Sequence, residues 1–306
     1  MKAIDVLGIG MATVDILTPV ARLPRSDEVF QVESIELSGG GPAATALAVL
    51  ARMGARAEYL GTLAADSWGE MIRRDLEGFG VGTGHSPTVE NAQSIASVIL
   101  IEQGSGNRVI LNHSSGLPEL PPEAVDPALV ASARILHLDG FHFRAAHAAA
   151  RIARQAGVLV SMDGGAGKRW EGIEQLLELV DILIVARRFA VSLTGIEGEW
   201  DAARALSRYG ARQVVVTDGI RGSWFWDGRS ALHQEAFQVK PVDTTGAGDV
   251  YHGAYLYAFL QGWQPEECLR YASAAAAIKC TARGGRGALA RPEEVLRFAA
   301  AYRPPE

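Results

Sequence analysis

The chain has 306 residues, 48% hydrophobic and 21% charged, with 29 basic against 35 acidic side chains and a net charge of −6. That length suits one large α/β domain with an insertion, or two smaller ones, and the composition excludes disordered and collagen-like chains. The acidic balance argues against duplex nucleic acid as the main partner, because that binding needs many phosphate-neutralising Lys and Arg. Apolar runs such as Ile135–Leu138 and Ile182–Ala186 fall well short of the roughly 20 residues that span a bilayer. Asp5 interrupts the apolar core that a signal peptide would need, so a soluble, cytoplasmic protein with no membrane partner is expected.

In chain order, the first strand pattern is Ala3–Gly10. Gly8-Ile9-Gly10 superficially resembles a dinucleotide fingerprint, but Val14–Pro19 does not open a helix with a third glycine, so that reading fails. Asp15 falls just past the carboxyl end of this strand, where open α/β sheets place ligands. Glu28–Ser38 alternates apolar and polar residues with period two, as half-buried antiparallel strands do. Ser38-Gly39-Gly40-Gly41-Pro42 then leads into a helix over Pro42–Met53, with proline in the first turn, where it is tolerated. Its glycines allow a ligand close to the backbone, or they serve a turn alone. Ala57–Leu63 reads as a strand and Trp68–Phe79 as a helix. Ser94–Asn112 is a second alternating stretch, a hairpin around the loop Gln103–Asn107. With residues 12–38, residues 94–114 would form a small sheet projecting from the main one, either a lid over a cleft or an edge hairpin.

From there strands and helices alternate: strands at Arg134–Asp139, Val158–Asp163, Asp181–Ala186 and Gln213–Thr217, helices at Ala145–Ala156, Gly172–Leu179, Ala202–Tyr209, Asp249–Leu260 and Pro265–Thr281. Trp224-Phe225-Trp226 before Asp227-Gly228 reads as a short strand entering a hairpin. This rhythm predicts an α/β fold, a mostly parallel sheet covered on both faces in three layers, as a single domain over 1–306 with the small β lid. Gly164–Arg169 imitates a phosphate-binding P-loop but lacks its first glycine and final hydroxyl. His137, His142 and His147, spaced by five, do not share a helical face and read as ordinary loop and surface histidines rather than a zinc site. Cys268 and Cys280 lie twelve residues apart on one predicted helix, roughly 18 Å, far beyond the approximately 7 Å reach of a disulfide. They read as buried small apolar side chains in a reducing compartment.

The strongest chemical signal is Val242-Asp243-Thr244-Thr245-Gly246-Ala247-Gly248-Asp249 at the start of a helix. Small residues at 246–248 let unpaired N–H donors and the helix dipole converge on an anion. A carboxylate in that first turn is either a cap or, beside a phosphate site, a base that takes the proton of an attacking hydroxyl.

Asp243–Asp249 resembles the Asp-Thr-x-Gly-Ala-Gly-Asp signature of the ribokinase-like (PfkB) carbohydrate kinases, and Gly40–Gly54 resembles that family's other signature. Val216–Gly222 is similar to its nucleotide loop and Ala272–Gly285 to its adenine-side helix and following loop. The resemblance covers essentially the whole chain and implies transfer of the γ-phosphoryl of Mg-ATP to a sugar hydroxyl. It implies Asp249 as the base and the amides of Gly246, Ala247 and Gly248 as the anion hole. It further implies Asp15, Gly40, Gly41 and Thr45 on the sugar, with Asn112 and His113 as polar candidates at a strand end. Thr217, Gly219 and Gly222 would line the ATP phosphates and ribose, with Ser273 near the adenine. Asp243, Thr245 and Gly284 are where relatives bind a monovalent cation such as K+. The lid would exclude water and clasp a second copy as a homodimer.

Two departures stand out. Thr45 replaces the usual asparagine of the first signature. Ala186-Arg187-Arg188-Phe189 stands where the family carries Asn-x-x-Glu, leaving Mg2+ to ATP oxygens and water, with Asp163 in the outer shell. Arg187 and Arg188 would meet phosphates or form a solvated helix start. Gly39–Thr45, Ile278–Thr281 and Gly284-Gly285-Arg286 look most like the sulfofructose kinase branch, a fructose- or ketose-type substrate. However, Val29 and Phe141 stand where that branch would carry basic side chains, which leaves an uncharged sugar, or one with a smaller anion, as the alternative. A nucleoside kinase, with Phe141 or Phe143 stacking on a base, and a sugar-binding regulator without turnover also remain open.

Overall fold

The computed structural model describes residues 2–104, 108–165 and 170–303. The expected hairpin tip at Ser105–Asn107, Ala166–Arg169 of the P-loop-like run and the tail Pro304–Glu306 lie outside the described residues.

The strands are β1 (Ile4–Ile9), β2 (Thr13–Val20), β3 (Glu36–Gly40), β4 (Ala57–Leu60), β5 (Leu63–Ala64), β6 (Thr88–Val89) and β7 (Ala96–Glu102). They continue with β8 (Arg108–His113), β9 (Ala133–Leu138), β10 (Leu159–Asp163), β11 (Ile182–Ala186), β12 (Gln213–Thr217), β13 (Ser223–Trp226) and β14 (Ala231–Gln234). The helices are α1 (Pro42–Arg52), α2 (Ser67–Phe79), α3 (Pro127–Ser132), α4 (Phe143–Gln155) and α5 (Ile173–Leu177). After them come α6 (Arg187–Thr194), α7 (Glu199–Ser207), α8 (Ala247–Leu260), α9 (Pro265–Lys279) and α10 (Pro292–Ala301).

Among the described residues the main sheet runs β14-β13-β12-β11-β10-β9-β1-β4, parallel from β4 to β12 and antiparallel at β13 and β14. Successive side chains point to opposite faces, and both faces are buried. Val6, Ile135, Ile182, Ile184 and Val215 pack with α1, α2, α8, α9 and α10. Leu7, Leu136, Leu183, Val214 and Val216 pack with α3 to α7. This is a three-layer α/β/α fold, as the continuous apolar strands lead one to expect. Gly253 lets α8 cross α1 closely, since a Cβ there would lie 2.6 Å from the carbonyl oxygen of Ala46.

The smaller sheet runs β3-β2-β7-β8. Two sequence expectations change here, and one strand was not expected. The alternation over Glu28–Ser38 yields strand only at Glu36–Gly40, because Val29 and Ile35 are exposed and have no face to pack on. The strand beside it is β2, which is buried on both sides and so shows no period-two pattern. Ala57–Leu63 stops at Leu60, and Leu63–Ala64 pairs separately with β6. The Trp224–Trp226 hairpin forms as read, and both cysteines are free thiols, Cys268 buried but Cys280, at the end of α9, only half-buried.

Candidate active site

The strand order reverses at β1, which has β4 on one side and β9 on the other. Open α/β sheets gather ligands outside the carboxyl ends at such a point. Asp139, immediately after β9, accepts backbone N–H bonds from Met11 (2.8 Å), Ala43 (3.1 Å) and Phe141 (2.9 Å). One carboxylate thereby joins the end of β1, the start of α1 and its own loop. Gly10 makes room for it, since a Cβ there would sit 2.4 Å from the carboxylate. Burial pushes Asp139 up to about 6, against the three N–H donors.

The start of α8 is different. Gly246 caps it in the left-handed region (φ 75°), and no side chain caps it. Gly248 is exposed, with open space where a Cβ would lie. Gly246 packs against the Gly285 backbone so closely that a Cβ would come within 2.6 Å of it. Asp249, in the first turn, is half-buried, and no hydrogen bond engages its carboxylate among the described residues. Burial, then the charges of Asp163 and Asp139, pushes it up to about 7, with Arg108 acting the other way. Among the described residues the Gly246 and Gly248 N–H groups have no partner, and Ala247 makes only a long bond to the Thr244 carbonyl (3.3 Å). Such donors beside a proton-avid carboxylate can hold a transferring phosphoryl group and take a hydroxyl proton.

The small sheet brings its own polar row. Ser38, Asp15, Ser97 and Asn112 lie side by side across β3, β2, β7 and β8. Asp15 accepts a bond from the Thr13 hydroxyl (2.7 Å), Asn112 donates to Ser97 (3.1 Å), and burial raises the Asp15 pKa. Gly40 lies against Asp15, where a Cβ would approach the carboxylate to 2.1 Å, and Gly41 adopts φ 92°. Asp15, Gly40 and Gly41 are thus brought together, with Asn112 exposed two strands away. Thr45 sits beneath them, fully buried, its hydroxyl accepting the Arg286 Nε–H (3.2 Å). Arg286 also donates to the Gly40 carbonyl (2.8 Å) and pairs with Asp75 on α2. At the far end of the sheet, Arg108 reaches over to donate to the Thr244 hydroxyl (2.7 Å).

On the nucleotide side, Thr217 ends β12, and Gly219 and Gly222 form the turn that follows. A Cβ on Gly222 would lie 2.0 Å from the Gln234 carbonyl oxygen. Tyr251 on α8 donates to Ser223 (2.8 Å), tying this turn to the helix that carries Asp249. Ser273 is buried on α9, and no hydrogen bond joins it to the turn among the described residues.

Asp243, Thr245 and Gly284 come together as well. The fully buried Asp243 carboxylate accepts the Thr245 and Gly284 N–H groups, both at 2.8 Å. Its backbone carbonyl accepts a bond from the Lys279 ammonium (2.7 Å), which also donates to the Ala282 carbonyl (3.2 Å). Asp163 accepts the Gly165 N–H (2.6 Å), and its other oxygen lies 3.4 Å from His252 Nε2. Burial lowers His252 and His137 to about 3 and so keeps both neutral. His137 and His142 are buried, not the surface residues expected; the His142 ring accepts the Leu120 N–H (3.0 Å). Arg187 pairs with Glu197 and Glu199 at the start of α6. Phe143 packs beside His147 and Gly172, whereas Phe141 follows Asp139 and leans on His142.

Sequence reasoning missed Asp139, Arg286, Arg108 and Lys279. A polar residue ending an apolar strand before a glycine could have flagged Asp139. A lone charge at the end of the apolar run Ala272–Ile278 could have flagged Lys279. No local pattern distinguishes Arg286 or Arg108 from surface arginines.

Comparison with known proteins identifies the family. Residues 1–291 match the model of the pfkB family carbohydrate kinases. An ATP-dependent ribose-1-phosphate kinase from Halopiger xanaduensis is 30% identical over 285 residues, covering 93% of this chain and 95% of its own. The structure of an Arabidopsis thaliana ribokinase complexed with ribose and ATP superposes with a TM-score of 0.82 at 27% identity, covering 97% of this chain and 99% of that one. An adenosine kinase from Sinorhizobium meliloti gives 0.85 at 26% identity, covering 98% and 100%. The chain therefore belongs to the pfkB family and is a carbohydrate kinase.

Proposed function

We propose that this kinase transfers the γ-phosphoryl of ATP to a hydroxyl of an uncharged sugar held between the small sheet and α1. The observation that carries the reading is the uncapped Asp249 carboxylate beside the open N-terminus of α8. Asp249 takes the proton of the attacking hydroxyl, and the amides of Gly246, Ala247 and Gly248 stabilise the transferring group. Asp15 with the Gly40–Gly41 backbone orients the sugar, Asn112 reaching it from β8 and Thr45 acting from beneath. Thr217, Gly219, Gly222 and Ser273 line the nucleotide.

Two arginines act on the charges of the cleft carboxylates, and both are engaged: Arg286 with Asp75, Gly40 and Thr45, Arg108 with Thr244. That favours a neutral sugar over a sulfonate such as sulfofructose. Among the described residues no group of three acidic, histidine or cysteine side chains is built to hold a metal. Asp163, bonded through one oxygen to Gly165, fits an outer position for a Mg2+ carried by ATP oxygens and water, which neutralises phosphate charge. ATP as co-substrate and two free thiols support a cytoplasmic location.

The outer face of the small sheet carries the row Leu37, Ile16, Val98 and Leu111, with Leu37 54% and Leu111 59% exposed. An apolar sheet face of this kind supports a homodimer formed through the lid.

The test is ADP release across a panel of ribose, fructose, sulfofructose, fructose phosphates, keto-deoxy sugar acids and nucleosides. ADP with a neutral sugar is expected. ADP only with adenosine-type acceptors makes this a nucleoside kinase, and thermal stabilisation without ADP makes it a regulator.

A further inference from the structure

The family resemblance implies a monovalent cation at Asp243, Thr245 and Gly284, and the residues present do not fit one. Both oxygens of the Asp243 carboxylate already accept backbone N–H bonds, from Thr245 and Gly284 at 2.8 Å each. The Asp243 carbonyl, which faces the gap between the two loops, receives the Lys279 ammonium at 2.7 Å. The same ammonium bonds the Ala282 carbonyl at 3.2 Å on the opposite loop. Lys279 has no exposed surface. A lysine is almost never buried so completely without a partner; here Asp243 supplies the opposite charge, and two carbonyl dipoles point at the nitrogen. An alkali ion placed between Asp243, Thr245 and Gly284 would meet a like charge that already holds the Asp243 carbonyl.

The position matters for the chemistry. Asp243 opens the loop that ends in Gly246, Ala247, Gly248 and Asp249. Ala282 belongs to the neighbouring loop, whose Gly285 backbone packs on Gly246. One positive charge therefore fastens both loops from behind, while among the described residues the Gly246 and Gly248 amides have no partner and Ala247 makes only a long bond to the Thr244 carbonyl (3.3 Å). An ammonium matches potassium in charge and closely in size, and donates to carbonyl oxygens of the kind that bind potassium.

We infer that the Lys279 ammonium is a built-in monovalent cation: it orders the Asp243–Asp249 loop from within, so that phosphoryl transfer by this chain needs no potassium. Lys279 is a positioning residue, acting through the loop amides, and the inference rests on the reading of those amides as the phosphoryl site.

Initial rates with the acceptor that releases ADP are compared in potassium chloride and in choline chloride at equal ionic strength. The parent should differ by less than about twofold, since a site already filled gains nothing from added ligand. Stimulation by potassium of about fivefold or more overturns the inference. Lys279→Ala, which opens space for an ion, should lose about 10²-fold in kcat in choline, with ATP KM changed less. Potassium or ammonium, but not choline, should restore much of the loss. Parental turnover in choline, or a loss that neither ion repairs in folded protein, overturns the inference. If the variant does not fold, the response of the parent decides. If no acceptor yields ADP, the kinase reading fails separately. The thermal midpoint of the unliganded parent then still tests Lys279: it should be the same in potassium and choline, and a rise of several degrees in potassium overturns the inference.

Discussion

Two helices of this protein begin with glycine-rich loops, and they look alike in sequence: Gly39-Gly40-Gly41 before α1 and Gly246-Ala247-Gly248 at α8. The structure treats them oppositely. At α1 the chain has supplied its own occupants. Asp139 accepts the Ala43 N–H, Asp15 lies on Gly40, and Asp75 with Arg286 lies on Gly39, where added Cβ atoms would clash. At α8 no side chain among the described residues caps the helix, the backbone supplies only a long bond from Ala247 to Thr244, and Gly248 faces open space. A helix N-terminus attracts an anion in either case. It is a site for a foreign phosphate only where the protein has left it free. On the proposed reading, the α1 end, already holding a carboxylate, takes hydroxyls, and the α8 end takes the phosphoryl group.

The sharpest way to break this contrast is Asp249→Asn. Turnover should fall by about 10²–10⁴ while ATP binding and folding persist; a few-fold loss would remove Asp249 from the chemistry. Its raised pKa also fixes two signs. The base works ionised, so kcat/KM of the parent should rise with pH and level off above about 7. For stability the effect runs the other way. The folded state holds the proton up to about 7, the unfolded chain only to about 4, so the parent loses stability as pH rises between them. Asp249→Asn lacks that loss and should be the more stable protein at pH 8, by urea titration, on the order of 1 kcal/mol or more.

Much of this architecture was legible in the residues. Buried parallel strands announce themselves as continuous apolar runs, and Ile182–Ala186 and Gln213–Thr217 form where that pattern places them. The small sheet was less legible: β2 is buried on both sides and lacks alternation, while Glu28–Ile35 alternates with nothing to pack against. In the site, Asp15, Gly40 and Asp249 could be named because glycine-rich turns and a carboxylate at a helix start are local patterns. The roles of Asp139, Lys279 and Arg286 were hidden for the opposite reason, even where a local pattern could have drawn the eye to the residue. Their partners lie 96, 36 and 241 positions away in Ala43, Asp243 and Thr45, and no window of sequence holds both ends.

The filled helix start is tested by Asp139→Ala. Three backbone donors would lose their acceptor, at about 1–3 kcal/mol for each that stays buried. A drop of about 3 kcal/mol in urea unfolding is expected, with Asp139→Asn losing less because one oxygen acceptor remains. A variant as stable as the parent would mean that solvent or another group already serves those donors, and the contrast between the two helices would fail at its α1 end.

The smallest effect concerns the contact that links the two regions. Arg108 stands on the small sheet yet bonds Thr244, two residues before the loop amides, and its charge favours the ionised form of Asp249. Removing it as Arg108→Ala should therefore act twice. The sheet is held less firmly over the cleft, so the sugar KM should rise about fivefold, the worth of one charge-assisted bond at an exposed site. Asp249 also loses a favourable charge, so the acid limb of kcat/KM should move to higher pH, a few tenths of a unit given the screening at that exposure. A purely mechanical latch would raise KM and leave the limb in place, and a purely electrostatic one would do the reverse. Arg108→Lys separates them further, because it keeps the charge and shortens the reach: the limb should return to its parental position while KM stays elevated. A limb that moved toward lower pH would show that Arg108 does not face Asp249 in the working enzyme, and that the sheet closes over α8 in some other register.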